Sequence, residues 1–191
     1  MKVVGINGSP RENGNTKILI NEVFSELQKE GIKTELINFA GKKIEGCKAC
    51  KQCFKNKDKS CINNSDDFNE IFQKTIDADG LIIGSPTYFA NVTAEIKAFI
   101  DRAGYVSMAN GHLYKRKVAT AVVAVRRGGA VAVFDAINRF LLIAQCIVPS
   151  SFYWNFGFGR NIGEVSEDEE GMRTMKVLGE NMSWLMKKIY K

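Results

Sequence analysis

The chain has 191 residues, 45% of them apolar and 25% charged, which suits one globular domain with a full core and excludes a disordered or low-complexity protein. No apolar run approaches the roughly eighteen residues of a membrane span, and the opening MKVVGINGSP has neither the length nor the cleavage site of a signal peptide, so a cytoplasmic protein is expected. Net charge is +6, but the lysines and arginines are scattered, which argues against a nucleic-acid partner and for a solvated surface with a few cations kept for anionic ligands.

Short β-branched runs alternate with helical patterns, the signature of a parallel sheet with crossover helices. Lys2–Ile6 reads as a buried first strand, Thr16–Glu30 as a helix stopped by Gly31, and Thr34–Phe39 as a second strand. After a cysteine-rich loop, Gly46–Cys61, Ser65 is the expected N-cap of a helix running to Asp77. Gly80–Ser85 is a third strand, Thr93–Arg102 a helix, Lys117–Arg126 a long fourth strand and Ala130–Ala144 an apolar helix. Cys146–Phe158 holds the last strand, and Glu169–Tyr190 is a final amphipathic helix. The expected whole is one domain, residues 1–191, of five strands and five helices. The acids of Asp66–Asp67 and Glu167–Glu170 sit at helix starts, where the dipole favours them. The lone His112 and the lone Cys146 read as a surface-loop residue and a small buried apolar residue.

Cys47, Cys50, Cys53 and Cys61 are spaced C-x2-C-x2-C-x7-C. Three thiolates at i, i+3 and i+6 with a fourth nearby is the pattern of a [4Fe–4S] ligand run, whereas zinc sites use two separated C-x2-C pairs or mix Cys with His. The bacterial ferredoxin run continues x3-C-P; here the gap is x7, and Ile62 follows Cys61. Zinc, or four free thiols, is the competing reading. Lys48, Lys51, Lys55, Lys57 and Lys59 surround the run. They are expected to offset a cluster's negative charge and to depress the thiol pKa values. They also suit docking of an acidic electron-transfer partner. With little apolar content, the loop is expected to depend on its metal for order.

The first strand–helix loop, Asn7–Thr16, is rich in Gly, Ser, Asn and Thr, and presents N–H groups and hydroxyls at a helix N-terminus. It has neither G-x-G-x-x-G nor G-x-x-x-x-G-K-[ST], so a single terminal phosphate fits it better than a pyrophosphate or a triphosphate. Ser9, Asn15 and Thr16 would donate hydrogen bonds and Arg11 would add charge. The loop after the third strand contains Pro86, Thr87, Tyr88, Phe89 and Asn91, with flat apolar surface and backbone groups for the edge of a planar heterocycle. Ligands of doubly wound sheets sit outside the carboxyl ends of the strands. These two loops would share one crevice, approached by Arg127, Gly128 and Gly129 after the fourth strand. One phosphate and one flat ring point to FMN.

Lys2–Thr16, Gly84–Arg102 and Arg126–Gly129 resemble the flavodoxin-like NAD(P)H-dependent FMN reductases. With the four cysteines and Phe152–Gly157, the chain resembles the iron–sulfur flavoprotein branch of that family over nearly its whole length. The resemblance implies a five-stranded parallel sheet of order 2-1-3-4-5 with a cysteine-rich insertion after strand two. It implies FMN held by its phosphate at the first loop and by its ring at Pro86–Asn91. It also implies homodimers or homotetramers with each FMN near a subunit boundary. NAD(P)H would be the electron donor and a small molecule or protein the acceptor. No catalytic side chain is required, because flavin N5 takes the hydride when nicotinamide C4 is held about 3–3.5 Å away. A [4Fe–4S] cluster would turn two-electron flavin chemistry into one-electron steps. The rival class, a flavodoxin-type carrier, is disfavoured by the positive charge.

Overall fold

The computed structural model describes residues 1–190. Its elements are β1 (Lys2–Asn7), α1 (Asn15–Lys29), β2 (Lys33–Asn38), α2 (Gln52–Asn56), α3 (Phe68–Asp77), β3 (Gly80–Pro86), α4 (Ala94–Ala109), β4 (Val118–Val125), α5 (Ala130–Ile143), β5 (Phe156–Phe158), a 3₁₀ turn (Glu164–Glu167) and α6 (Glu169–Ile189). The strands form one sheet of order β2-β1-β3-β4-β5, parallel throughout. The direction of winding reverses between β1 and β3, which places a topological switch point there.

The strand sequences follow from the layers. β1, β3 and β4 are buried almost end to end, covered by helices on both faces, so they read as continuous apolar runs rather than alternations. On one face α1 and α6 pack Leu19, Ile20, Val23 and Leu27 against Met175, Leu178 and Met182. On the other face α3, α4 and α5 bury Phe68, Phe72, Ile96, Phe99, Val133 and Ile137.

Four elements depart from the expectation. The cysteine loop contains a short helix, α2, flanked by Lys51 and Lys57 in left-handed conformations. α3 begins at Phe68 with Asp67 in the cap position, and the Ser65 hydroxyl instead donates to Asn63 Oδ1 at 2.7 Å. α4 continues past Arg102 to Ala109, because Ala103 and Val106 extend its buried face. The last strand shrinks to Phe156–Phe158 plus one bridge between Ile147 and Val118. Pro149, which has no N–H to give a ladder, lies between the two pieces. Asn155 repairs the gap. Its side-chain amide donates to Thr120 Oγ1 and Ala121 O, and its carbonyl accepts from Val123 N–H.

Candidate functional site

The loops after β1 and β3 are locked together at the switch point. Gly8 N–H donates to Gly84 O at 2.8 Å, and the Thr93 hydroxyl, at the N-cap of α4, donates to Gly8 O at 3.0 Å. A Cβ at Gly8 would come within 2.3 Å of Ile96, so only glycine lets the first loop lie this close to α4. The buried Asn7 side chain shapes the same loop. It accepts from Ser9 N–H at 3.2 Å and donates to Asn38 Oδ1 at 3.0 Å.

Above these loops lies an open cleft of about 550 Å³. It is lined by Ser9, Arg11, Gly14, Asn15, Thr16, Pro86, Thr87, Tyr88, Ala124, Val125, Arg126, Gly159 and Arg160. Three of these are arginines and none is acidic. The Thr87 hydroxyl oxygen is buried without a hydrogen-bond partner, a cost that a bound polar ligand would remove. The first turn of α1 has no side-chain cap; Lys17 and Ile18 N–H donate to Gly14 O, which leaves the Asn15 and Thr16 N–H groups at the helix start for a ligand. Phosphate and a polar ring edge fit this set of donors.

Not every expected residue meets there. The Asn15 side chain is turned onto a neighbouring segment, donating to Asn161 O and accepting from Gly163 N–H, both at 2.9 Å. What Asn15 offers the cleft is therefore its backbone N–H. Phe89 and Ala90 form the corner of a tight turn closed by reciprocal Tyr88–Asn91 backbone bonds, with φ of 47° and 58°. This left-handed backbone is strained for side-chain-bearing residues. Phe89 stands fully exposed at the tip and lines no part of the cleft. The Asn91 side chain accepts from Val92 N–H at 2.8 Å. Arg127, Gly128 and Gly129 line a separate hollow of about 650 Å³, with Tyr153, Trp154 and Phe158. Gly129, at φ 88°, joins the two regions, because a Cβ there would lie 3.0 Å from Ala90 Cα. The residue after β4 that reaches the first cleft is Arg126.

All four clustered cysteines line one further hollow of about 500 Å³, together with Arg102 and Tyr105 of α4. Among the described residues, no group of three or more Cys, His, Asp or Glu side chains is placed to hold one metal ion. The thiols surround a space instead of converging on the point, about 2.3 Å from each sulfur, that a zinc ion requires. All five cysteines are free. Ala49, Lys51, Lys57 and Lys59 all have positive φ between 51° and 60°. The N–H groups of Lys57 and Lys59 are taken by Cys53 O at 3.1 Å and Asn110 Oδ1 at 3.0 Å. Ala49 N–H already donates to Cys47 Sγ at 3.4 Å. A cluster with four thiolates fits this loop. Two expectations fail here. Burial pushes the Cys53 thiol up rather than down, and outweighs the hydrogen bonds from the backbone N–H groups of Phe54 and of Cys53 itself. The loop also does have apolar anchorage, since Cys53 and Cys61 pack against the core and Phe54 meets Tyr105 edge-on at 6.0 Å.

Under the loop lies a group that the sequence reading assigned to a helix start. The Asp66 side chain is fully buried and paired with Arg102 of α4, which is itself 1% exposed. Asp66 also accepts from Glu45 N–H at 2.7 Å. Burial alone would raise its pKa, but the Arg102 and backbone hydrogen bonds and the guanidinium charge hold the carboxyl below the usual range. The signal was available. Ile96, Phe99, Arg102 and Val106 share one helical stripe, and an arginine on an apolar stripe calls for a buried acid. Arg160 and Gly159, after β5, carried no comparable signal.

The chain is 38% identical over 198 residues, covering 100% of both chains, to an iron-sulfur flavoprotein of Methanocaldococcus jannaschii. Among solved structures it superposes on RosB, described with bound 8-demethyl-8-formylriboflavin-5'-phosphate, with a TM-score of 0.78 at 21% identity, covering 100% of this chain and 80% of that one. It superposes on an archaeal flavodoxin with a TM-score of 0.63 at 14% identity, covering 98% and 99%; these two structures establish the flavodoxin-like fold. Residues 1–161 match the family described as NADPH-dependent FMN reductase, and the chain belongs to that family.

Proposed function

We propose that this chain is an FMN-dependent oxidoreductase that takes electrons from NAD(P)H and passes them to a small-molecule or protein acceptor by way of a [4Fe–4S] cluster. The observation that carries the flavin assignment is the cleft at the β1/β3 switch point, with its three arginines, absence of acids and unpartnered Thr87 hydroxyl. In this reading Ser9, Thr16 and the N–H groups opening α1 hold the phosphate, with Arg11, Arg126 and Arg160 neutralising it. Pro86, Thr87 and Tyr88 face the ring, and the Phe89–Asn91 turn forms a rim above it. Arg127, Gly128 and Gly129 support that turn from behind through the Gly129–Ala90 contact. Bound FMN supplies the hydride chemistry, and the chain's own part is to fix the ring, screen the phosphate and leave one face open to the nicotinamide.

The Cys47, Cys50, Cys53 and Cys61 hollow is read as the cluster site. Its support is the encircling placement of the thiols and the name borne by the relative. The exposed Leu142, Ile143, Phe152, Tyr153, Trp154 and Phe158 support assembly into dimers or tetramers. No helix among the described residues is long and apolar enough to cross a membrane, and the free thiols suit a reducing cytoplasm.

The test is anaerobic purification or reconstitution, followed by flavin extraction, iron and sulfide assay and steady-state oxidation of NADH and NADPH. One FMN per chain, four irons and turnover with a nicotinamide are expected for this ligand set. Stoichiometric zinc would overturn the cluster alone, and protein that takes up no FMN would overturn the whole assignment.

A further inference from the structure

Arg102 is the most buried cation among the described residues, and its surroundings leave its Nε–H unused. Its side chain is 1% exposed. One terminal nitrogen serves Asp66 and Glu45 O, the latter at 3.2 Å, and the other donates to Asn63 O at 3.0 Å. The guanidinium carbon lies 4.0 Å from the centre of the Phe68 ring. Three of its five N–H groups thus have acceptors, and the Nε is the one nitrogen, equally buried, that makes no hydrogen bond at all. The same residue lines the hollow that the four cysteines surround. An unpaired buried donor on a charged group costs more than a neutral one, so the chain retains an expense here that a ligand in the hollow would relieve.

We propose that Arg102 is a positioning residue for the cysteine site, one that gives its Nε–H and its charge to the group held by Cys47, Cys50, Cys53 and Cys61. Asp66 sets how much of that charge the group feels. The inference rests on the cluster reading above. A cluster with four thiolates is anionic and gains one further negative charge on one-electron reduction. A fixed buried cation beside it therefore favours the reduced form, and a carboxylate beside the cation opposes that effect. The two members of one ion pair should thus act on the reduction equilibrium in opposite directions. A merely structural pair, bracing α4 against the Glu45–Asp66 segment, would not produce opposite signs.

The experiment is a redox titration of the full-length, FMN-loaded, anaerobically reconstituted protein, following the reduced cluster by its paramagnetic resonance. Arg102→Gln is expected to disfavour reduction by tenfold or more, which is about 59 mV for a one-electron couple. Asp66→Asn is expected to favour it by a similar factor, because Arg102 stays in place with less of its charge cancelled. No shift in either variant, or shifts of the same sign, would overturn the inference. If Arg102→Gln does not fold, Asp66→Asn decides alone, an upward shift supporting the proposal and an unchanged potential sinking it. Wild-type protein without iron and sulfide would sink the cluster reading and this inference together. Cluster-bearing wild type with unmoved variants would sink this inference only.

Discussion

The cleft over β1, β3 and β4 is walled by strands buried along nearly their whole length, whereas Gly46–Cys61 adds no strand to the sheet and is held beside it by the packing of Cys53, Cys61 and Phe54 and by polar tethers. Asn69 clamps Cys61 through two bonds of 2.8 Å, Asn110 accepts from Lys59 N–H at 3.0 Å, and Arg102 holds Asn63 and Asp66. The first region is preorganised by the same apolar burial that forms the core, so ligand binding there costs little rearrangement. The second is held by fewer contacts, the packing of Cys53, Cys61 and Phe54 together with these hydrogen bonds, and it carries several non-glycine residues in left-handed backbone, each unfavourable by roughly 1–2 kcal/mol. One chain thus carries a site walled by the core and a site on a loop held to it at fewer points. The two should then fail independently.

The sharpest way to break that comparison is to remove the thiols. Cys47→Ser with Cys50→Ser is expected to abolish iron and sulfide uptake while leaving FMN stoichiometry and affinity as in the wild type, measured by metal assay and flavin fluorescence titration. Loss of FMN in the same variant would mean that the regions are coupled and that the cleft is not preformed.

The converse variant acts on the cleft. Arg126→Ala with Arg160→Ala removes two of its three cations. A charge-assisted bond contributes about 1.5–3 kcal/mol when protected, but both residues are exposed and screened, so the pair together is expected to weaken FMN by about tenfold. The loss should shrink as salt is raised, and iron content should not change. A salt-independent effect would point to lost packing rather than lost charge.

A smaller effect is expected at the rim. Phe89 is fully exposed at a strained corner, so Phe89→Ala should leave unfolding within about 0.5 kcal/mol of the wild type. If the ring of Phe89 covers bound flavin or nicotinamide, the same change should weaken one of them several-fold. Unaltered flavin affinity together with an unaltered KM for the nicotinamide would remove Phe89 from the site.

How far these regions could be read from sequence tracks how they are held. The strand order came from the family resemblance, whereas the buried strands and the switch-point loops were legible because apolar runs and Gly/Ser/Asn turns carry local signals for them. The cysteine spacing was legible for the same reason. Arg160 was invisible because it reaches the cleft from a loop after a three-residue strand, and only the tertiary fold brings that strand beside β4. The Asp66–Arg102 pair was hidden by a plausible local role for Asp66 at a helix start, and a long-range ion pair leaves no trace in a local window. Asn15 shows the same limit in reverse. Its position suits a phosphate ligand, but the partner that claims its side chain is far along the chain, at Asn161 and Gly163.

The mildest perturbation that should separate the two regions is acid. Asp66 has a lower pKa in the folded chain than its ordinary value, because the hydrogen bonds and charge of Arg102 and the Glu45 N–H outweigh its burial. A depressed carboxyl contributes stability that is fully present above its unfolded value, about 3.9. That contribution is lost as pH falls through the folded value. Below the ordinary aspartate range, protonating Asp66 leaves the buried Arg102 charge uncompensated, so the segment from Lys43 to Asp66 should loosen before the sheet does. Hydrogen-exchange protection measured at stepped pH is expected to fall in that segment while β3 and β4 stay protected. Asp66→Asn should remove most of the pH dependence, because the amide has no charge to lose. Equal loss of protection in the segment and in the strands would mean that the cysteine region is an integral part of the core, and the contrast drawn between the two sites would fail.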